Sequence, residues 1–228
     1  AASPWPAARV HAHAIRRRPV ARPAMAPFPA ALAALAALAA GGAVAQRAEA
    51  DARFLWGLEL ERSGDVAAAE RGYFFALEAD SDHADALERI GSLRLARRDL
   101  AGAEWSFRAA ARAAPGRGAA HFALGSVRLL RGDRASAEES LATASRLAPD
   151  LGRAHFALAE LQRDRGDVEA AKSSFEAAVR ADPGGADGHF ELGLARVLTG
   201  DFAAAEESYA AAVRADPQHA PALRNMAA

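Results

Sequence analysis

The chain has 228 residues, 25% of them charged and 51% hydrophobic, which leaves enough apolar surface to exclude disorder throughout. Cysteine is absent, so disulfide frameworks, Cys-ligated zinc, iron–sulfur clusters and thiol catalysis are excluded. The net charge of −1 gives no overall basic field for nucleic acid, and an alanine-rich chain with 7% aromatics points to an all-α protein with closely packed helices.

The charge is unevenly placed. Residues 1–45 carry Arg9, Arg16, Arg17, Arg18 and Arg22 and no acid, so the remainder carries −6. Residues 24–45 are uncharged and run through Ala30–Leu38 to Gly41-Gly42 and then Ala43-Val44-Ala45. A basic stretch, an apolar stretch, a helix breaker and a small-x-small site stand in the order of a secretory signal peptide. Cleavage is expected after Ala45, with export to a periplasm or the medium. The alternatives are an uncleaved membrane anchor, weakened by having only three leucines in this stretch, an organelle transit peptide, and an Ala/Pro-rich tail. Membrane contact is expected only through an uncleaved leader. Met25 is an alternative start.

From residue 50 the chain repeats itself. Gly64-Asp65, Arg98-Asp99, Gly132-Asp133, Gly166-Asp167 and Gly200-Asp201 stand 34 residues apart. Gly57, Gly91, Gly125, Ala159 and Gly193 precede them in the same spacing. Ala69, Ala103, Ala137, Ala171 and Ala205 follow, then Tyr73, Phe107, Leu141, Phe175 and Tyr209, then Ala76, Ala110, Ala144, Ala178 and Ala212. Pro115, Pro149, Pro183 and Pro217 close four of the five units. Each unit reads as two helices. The glycine of the turn ends the first in a left-handed conformation, and the aspartate caps the second. Proline stops the second helix, because it lacks an amide proton and disfavours helix in the residue before it. One such hairpin cannot bury its apolar face alone, so stacked neighbours complete the core. Residues 220–228 have the spacing of a short further helix, with Leu223 and Met226 turned back onto the fifth unit.

This spacing and these small-residue positions resemble the tetratricopeptide repeat family, with repeats at 50–83, 84–117, 118–151, 152–185 and 186–219. The resemblance implies an all-α, right-handed α-solenoid of antiparallel helix pairs. It also implies that the first helix of each pair lines a concave groove that holds protein or peptide segments. Departures are Ser81 for the first closing proline, Ala159 for a glycine, and Arg98 for a turn glycine. The usual tryptophan is replaced by Arg53, Leu87, His121, His155 and His189.

No phosphate loop, His-Glu-x-x-His or Gly-x-Ser-x-Gly motif is present, so no catalytic residue, metal or cofactor is expected. His121, His155 and His189 share one repeat position. Equivalent positions in stacked repeats lie roughly 10 Å apart, too far to share a zinc ion, so a structural role is expected. Glu138-Glu139 and Glu206-Glu207 read as solvated faces. Carried over repeat by repeat, the groove comprises Phe54, Glu88, Phe122, Phe156 and Phe190. Further along the same helices it takes in Leu95, Leu129, Leu130, Val197 and Leu198. Glu160 and Asp164 place acid in the strip. The expected partner is therefore a protein or peptide segment that is apolar with some basic character, and not nucleic acid. The alternative reading makes the phenylalanines ordinary core between repeats. Trp105 stands where the other repeats have Arg71, Glu139, Ser173 and Glu207, and Phe74 stands where Arg108 and Glu176 stand, which marks an outer contact patch or a cover for a neighbouring side chain. The expected function is a non-enzymatic interaction scaffold. The alternatives are a repeat array belonging to a larger enzyme, such as a glycosyl- or sulfotransferase, and an architectural subunit of an envelope complex.

Overall fold

A computed structural model describes residues 42–226. The apolar stretch up to residue 41, the five leader arginines and residues 227–228 lie outside the described residues. Eleven helices are present among the described residues, and no strand. They pair as α1 (Ala43–Arg62) with α2 (Val66–Ala79), α3 (Ala84–Ala96) with α4 (Leu100–Ala113), and α5 (Gly118–Leu130) with α6 (Arg134–Leu147). Next come α7 (Gly152–Asp164) with α8 (Val168–Ala181), α9 (Ala186–Leu198) with α10 (Phe202–Ala215), and a short α11 (Ala220–Met226). Odd-numbered helices are the first of each pair. Each packs on its partner and on the second helix of the preceding pair, so the chain builds an α-solenoid. None of the described helices is long and apolar enough to cross a membrane.

The turns follow the expected chemistry. Gly64, Gly132, Gly166 and Gly200 have φ of 80–86°, where a Cβ is strained. Arg98 takes the same conformation at φ 64° without being glycine. The aspartate after each turn accepts the backbone N–H three residues on: Asp65 from Ala68 at 2.9 Å, Asp99 from Gly102 at 2.9 Å, and Asp133 from Ser136 at 3.1 Å. Asp167 and Asp201 cap α8 and α10 in the same way. Hydrogen bonding to Ser136 holds the Asp133 carboxyl below its usual range.

The seam of each pair is a knob in a hole. A Cβ added at Gly57 would lie 2.7 Å from the Tyr73 ring, and at Gly91 or Gly125 2.8 Å from Phe107 or Leu141. The bare glycine lets the large side chain sit against the opposite backbone. Ala69, Ala103, Ala137, Ala171 and Ala205, the close-approach residues of the second helices, are at most 2% exposed. Ala159 supplies the hole for Phe175 in the fourth pair, and both are fully buried.

A polar clamp spans four of the five seams; the first pair has Leu60 and Gly72 in its place. Arg94 Nη1 donates to the Gly102 carbonyl at 3.2 Å and to Ser106 Oγ at 3.1 Å. Arg128 binds Ser136 and Ser140, and Arg196 binds Ala204 and Ser208, in the same geometry. In the fourth pair Gln162 Oε1 accepts from Ser174 Oγ at 2.7 Å instead. The hydroxyls of Ser106, Ser140 and Ser208 are thereby satisfied although these residues are buried.

Successive pairs are tied by a second ladder, in which Arg97 pairs with Glu70, Arg131 with Glu104 and Arg165 with Glu138. At the next junction the equivalent residues are Thr199 and Lys172, and Lys172 turns to Glu169 on its own helix. Both partners change together, so no lone arginine or glutamate is left at that step. His121, His155 and His189 serve the stack as well. Each Nε2–H donates to the carbonyl of the closing proline of the preceding unit, Pro115, Pro149 or Pro183, at 3.0–3.2 Å. The first helix begins at Ala43, ahead of the repeat start at residue 50. The good helix formers of 43–49 extend it by nearly two turns, so Ala43–Ala45 form its first turn.

Candidate functional site

The first helices α1, α3, α5, α7 and α9 carry the candidate groove residues, and the structure divides them into two sets. Phe54, Phe122, Phe156 and Phe190 are half-buried. Phe54 packs against Tyr73 at 5.6 Å between centroids, Phe156 edge-on against Phe175 at 5.5 Å, and Phe190 against Tyr209 at 5.9 Å. These rings are thus part core and part surface. Leu95 and Leu129 also turn partly inward, against the Phe107 and Leu141 clusters respectively. Leu130 and Leu198 stand out, 61% and 63% exposed, with Val197 beside them.

The acids of the strip are mostly engaged. Glu88 accepts from Arg117 at 3.1 Å, Asp164 pairs with Arg134 and Arg163, and Glu191 pairs with Arg163. Burial opposes the charge on Arg163, but Glu191 and Asp164 outweigh it and hold the guanidinium protonated. Burial raises the Glu160 carboxyl above its usual range, with Arg163 opposing. Burial likewise raises the Tyr73 phenol, assisted by its hydrogen bond to Glu61.

A second pattern was missed in the sequence, and it involves the second, fifth and last residues of each repeat. In the first repeat these are Asp51, Phe54 and His83. His83 Nδ1 accepts the Ala86 N–H at 3.2 Å and so caps α3, its Nε2 donates to Asp51 at 3.1 Å, and its ring lies 5.0 Å from that of Phe54. The fifth repeat reproduces the arrangement with Asp187, Phe190 and His219, the ring distance being 5.2 Å. In the second repeat Arg117 binds both Asp85 and Glu88. The third carries Ala119, Phe122 and Leu151, and the Arg153 guanidinium lies 5.4 Å above the Phe122 ring. The fourth carries Arg153, Phe156 and Gly185. Here the last residue has no side chain, and Phe156 lines a cavity of about 310 Å³ together with Gly185, Asp182, Asp187 and Asp216. The signal was legible as His83 and His219 standing four repeats apart with Gly185 between them.

On the outer side, Trp105 is 55% and Phe74 40% exposed. The Arg94 guanidinium lies 5.9 Å from each ring. Trp105 also lines a shallow cavity of about 410 Å³ with Leu77, Leu87 and Ala109. Both rings are thus partly exposed and border the Arg94 side chain. Among the described residues no group of three His, Asp or Glu is placed to hold a metal ion.

Known proteins match this architecture. YrrB, described as a TPR protein with an unusual peptide-binding site, is 25% identical with a TM-score of 0.65, covering 78% of this chain and 92% of its own. MamA is 21% identical with a TM-score of 0.62, over 72% and 96%. PilF of Pseudomonas aeruginosa is 20% identical with a TM-score of 0.65, over 78% and 81%. No curated protein sequence matches the chain. The family model described as tetratricopeptide repeat matches residues 54–118, 122–171 and 156–220. With the helix pairs, the glycine–aspartate turns and the small-residue seams in place, the chain belongs to the tetratricopeptide repeat family.

Proposed function

We propose that the protein is a non-enzymatic scaffold that holds an apolar partner segment with some basic character against the first helices of its repeats. The observation that carries this reading is the apolar strip on α5 and α9. Leu130, Val197 and Leu198 remain exposed there although the core already has its complement of leucines and alanines. Exposed apolar residues at one repeat position suit an amphipathic helix or an extended apolar segment. The body of the chain carries −6, which favours a basic partner in the encounter. The likeness to YrrB, itself a peptide-binding TPR protein by its description, supports the same reading. Export belongs to this proposal, with cleavage after Ala45, and rests on the order of basic stretch, apolar stretch, double glycine and Ala43-Val44-Ala45.

The test compares the full chain with Leu198→Asp in capture of partners from the source organism's extract. Leu198 is mostly exposed, so the substitution should leave the fold intact. Partners retained by the wild type and lost by Leu198→Asp are expected. Equal capture by both would remove the strip from the function. N-terminal sequencing of protein expressed with its own leader is expected to begin at Gln46, and an intact leader would overturn export by cleavage there.

A further inference from the structure

We infer that the cavity over Phe156 is a socket for a cationic side chain of the partner segment, an arginine or lysine flanked by apolar residues. The inference rests on the groove reading above and names the anchor point within it. Four of the five repeats fill or cover this place from within. His83 lies over Phe54 and His219 over Phe190. Arg117 occupies Glu88, and Arg153 lies over Phe122. In the fourth repeat the residue at the covering position is Gly185, with φ −78° and ψ 100°, a conformation open to any residue. The backbone therefore does not require glycine here. A Cβ at Gly185 would meet only Asp182, 3.1 Å from its carboxylate oxygen, so packing does not exclude a side chain either.

What the missing side chain leaves is a cavity lined by Phe156 together with Asp182, Asp187 and Asp216. Asp187 accepts a hydrogen bond from His219 Nε2 at 3.1 Å. The His219 ring takes the Ala222 N–H on Nδ1 and so presents its Nε2–H to Asp187. The one guanidinium lining the cavity, that of Arg153, is directed onto Phe122 of the preceding repeat. A ring face with carboxylates around it attracts a cation by both its quadrupole and its charge. The volume, about 310 Å³, is ample for one long side chain.

The test is selection of peptides from a displayed library of random twelve-residue segments on the full chain, on Gly185→His and on Asp182→Asn. Gly185→His copies the covered junctions of the first and fifth repeats, and Asp182→Asn keeps the shape while removing one charge. Thermal midpoints confirm that each variant is folded. Peptides enriched on the wild type are expected to carry an arginine or lysine beside apolar residues. They should bind Gly185→His about tenfold more weakly or worse, and Asp182→Asn several-fold more weakly. Enrichment without basic residues, enrichment of acidic ones, or undiminished binding to folded Gly185→His overturns the socket. If such peptides are still lost on Leu198→Asp, the groove reading stands without the socket. A library from which nothing is enriched overturns both.

Discussion

The first and fourth repeats place the same ring, Phe54 or Phe156, against the same kind of aromatic knob, Tyr73 or Phe175, and then part company at one residue. His83 closes the first site by capping α3, bonding Asp51 and covering Phe54 in one side chain. Gly185 does none of these, and α9 starts without a side-chain cap. The same architecture thus carries a closed junction and an open one, and the seam below is unaffected because it is built by different positions. The difference teaches that in this solenoid the small-residue rows specify the stack, whereas the last residue of the first, fourth and fifth repeats decides whether the ring of that repeat is covered by a histidine.

The largest effect is expected where the common seam is attacked. Ala171→Leu drives a larger side chain between α7 and α8, beneath Phe156, and should cost about 1–3 kcal/mol in denaturant unfolding. A wild-type midpoint would place Ala171 off the seam. Next comes His83→Ala, which converts the first junction into an open one. Loss of the cap and the ring contact should cost about 1–2 kcal/mol, whereas Gly185→His should leave the midpoint unchanged or raise it. Equal destabilisation by both would mean that the two junctions are not variants of one design. Arg98→Gly removes a Cβ from a left-handed turn that four other repeats build with glycine. A gain of about 1 kcal/mol is expected from the same unfolding measurement.

The smallest effect is electrostatic. Glu160 has its folded-state pKa raised by burial, so the folded state holds the proton more tightly than the unfolded chain. The stability this contributes is present at acid pH and is lost as pH rises through the raised value. Glu160→Gln should therefore unfold at higher denaturant than wild type at neutral pH. The gap should close as pH falls into the carboxylate range, and a gap that widens on acidification would reverse the assignment.

The fold was legible because its determinants are rows of one residue type at fixed spacing. A glycine opposite an aromatic, or a glycine before an aspartate, carries its geometry with it, and even Arg98 takes the turn conformation its place in the row demands. The candidate site was legible in part. Leu130 and Leu198 are exposed, whereas the phenylalanines of the same helices are half-buried. The Arg–Ser clamp and the Arg–Glu ladder went unread because each needs two rows compared with each other, 12 or 27 residues apart, and each row has an exception. Gln162 replaces the clamp arginine, and Lys172 with Thr199 ends the ladder. The open socket was hidden for a simpler physical reason: its defining feature is a side chain that is missing.

The central claim is that the partner lies on the first-helix face, and backbone hydrogen exchange of the full chain with and without a bound partner segment tests it most directly. The account predicts added protection along α5, α7 and α9, centred near Leu130, Phe156 and Leu198. Protection confined to α2 and α4 around Phe74 and Trp105, with α5, α7 and α9 unchanged, would contradict it.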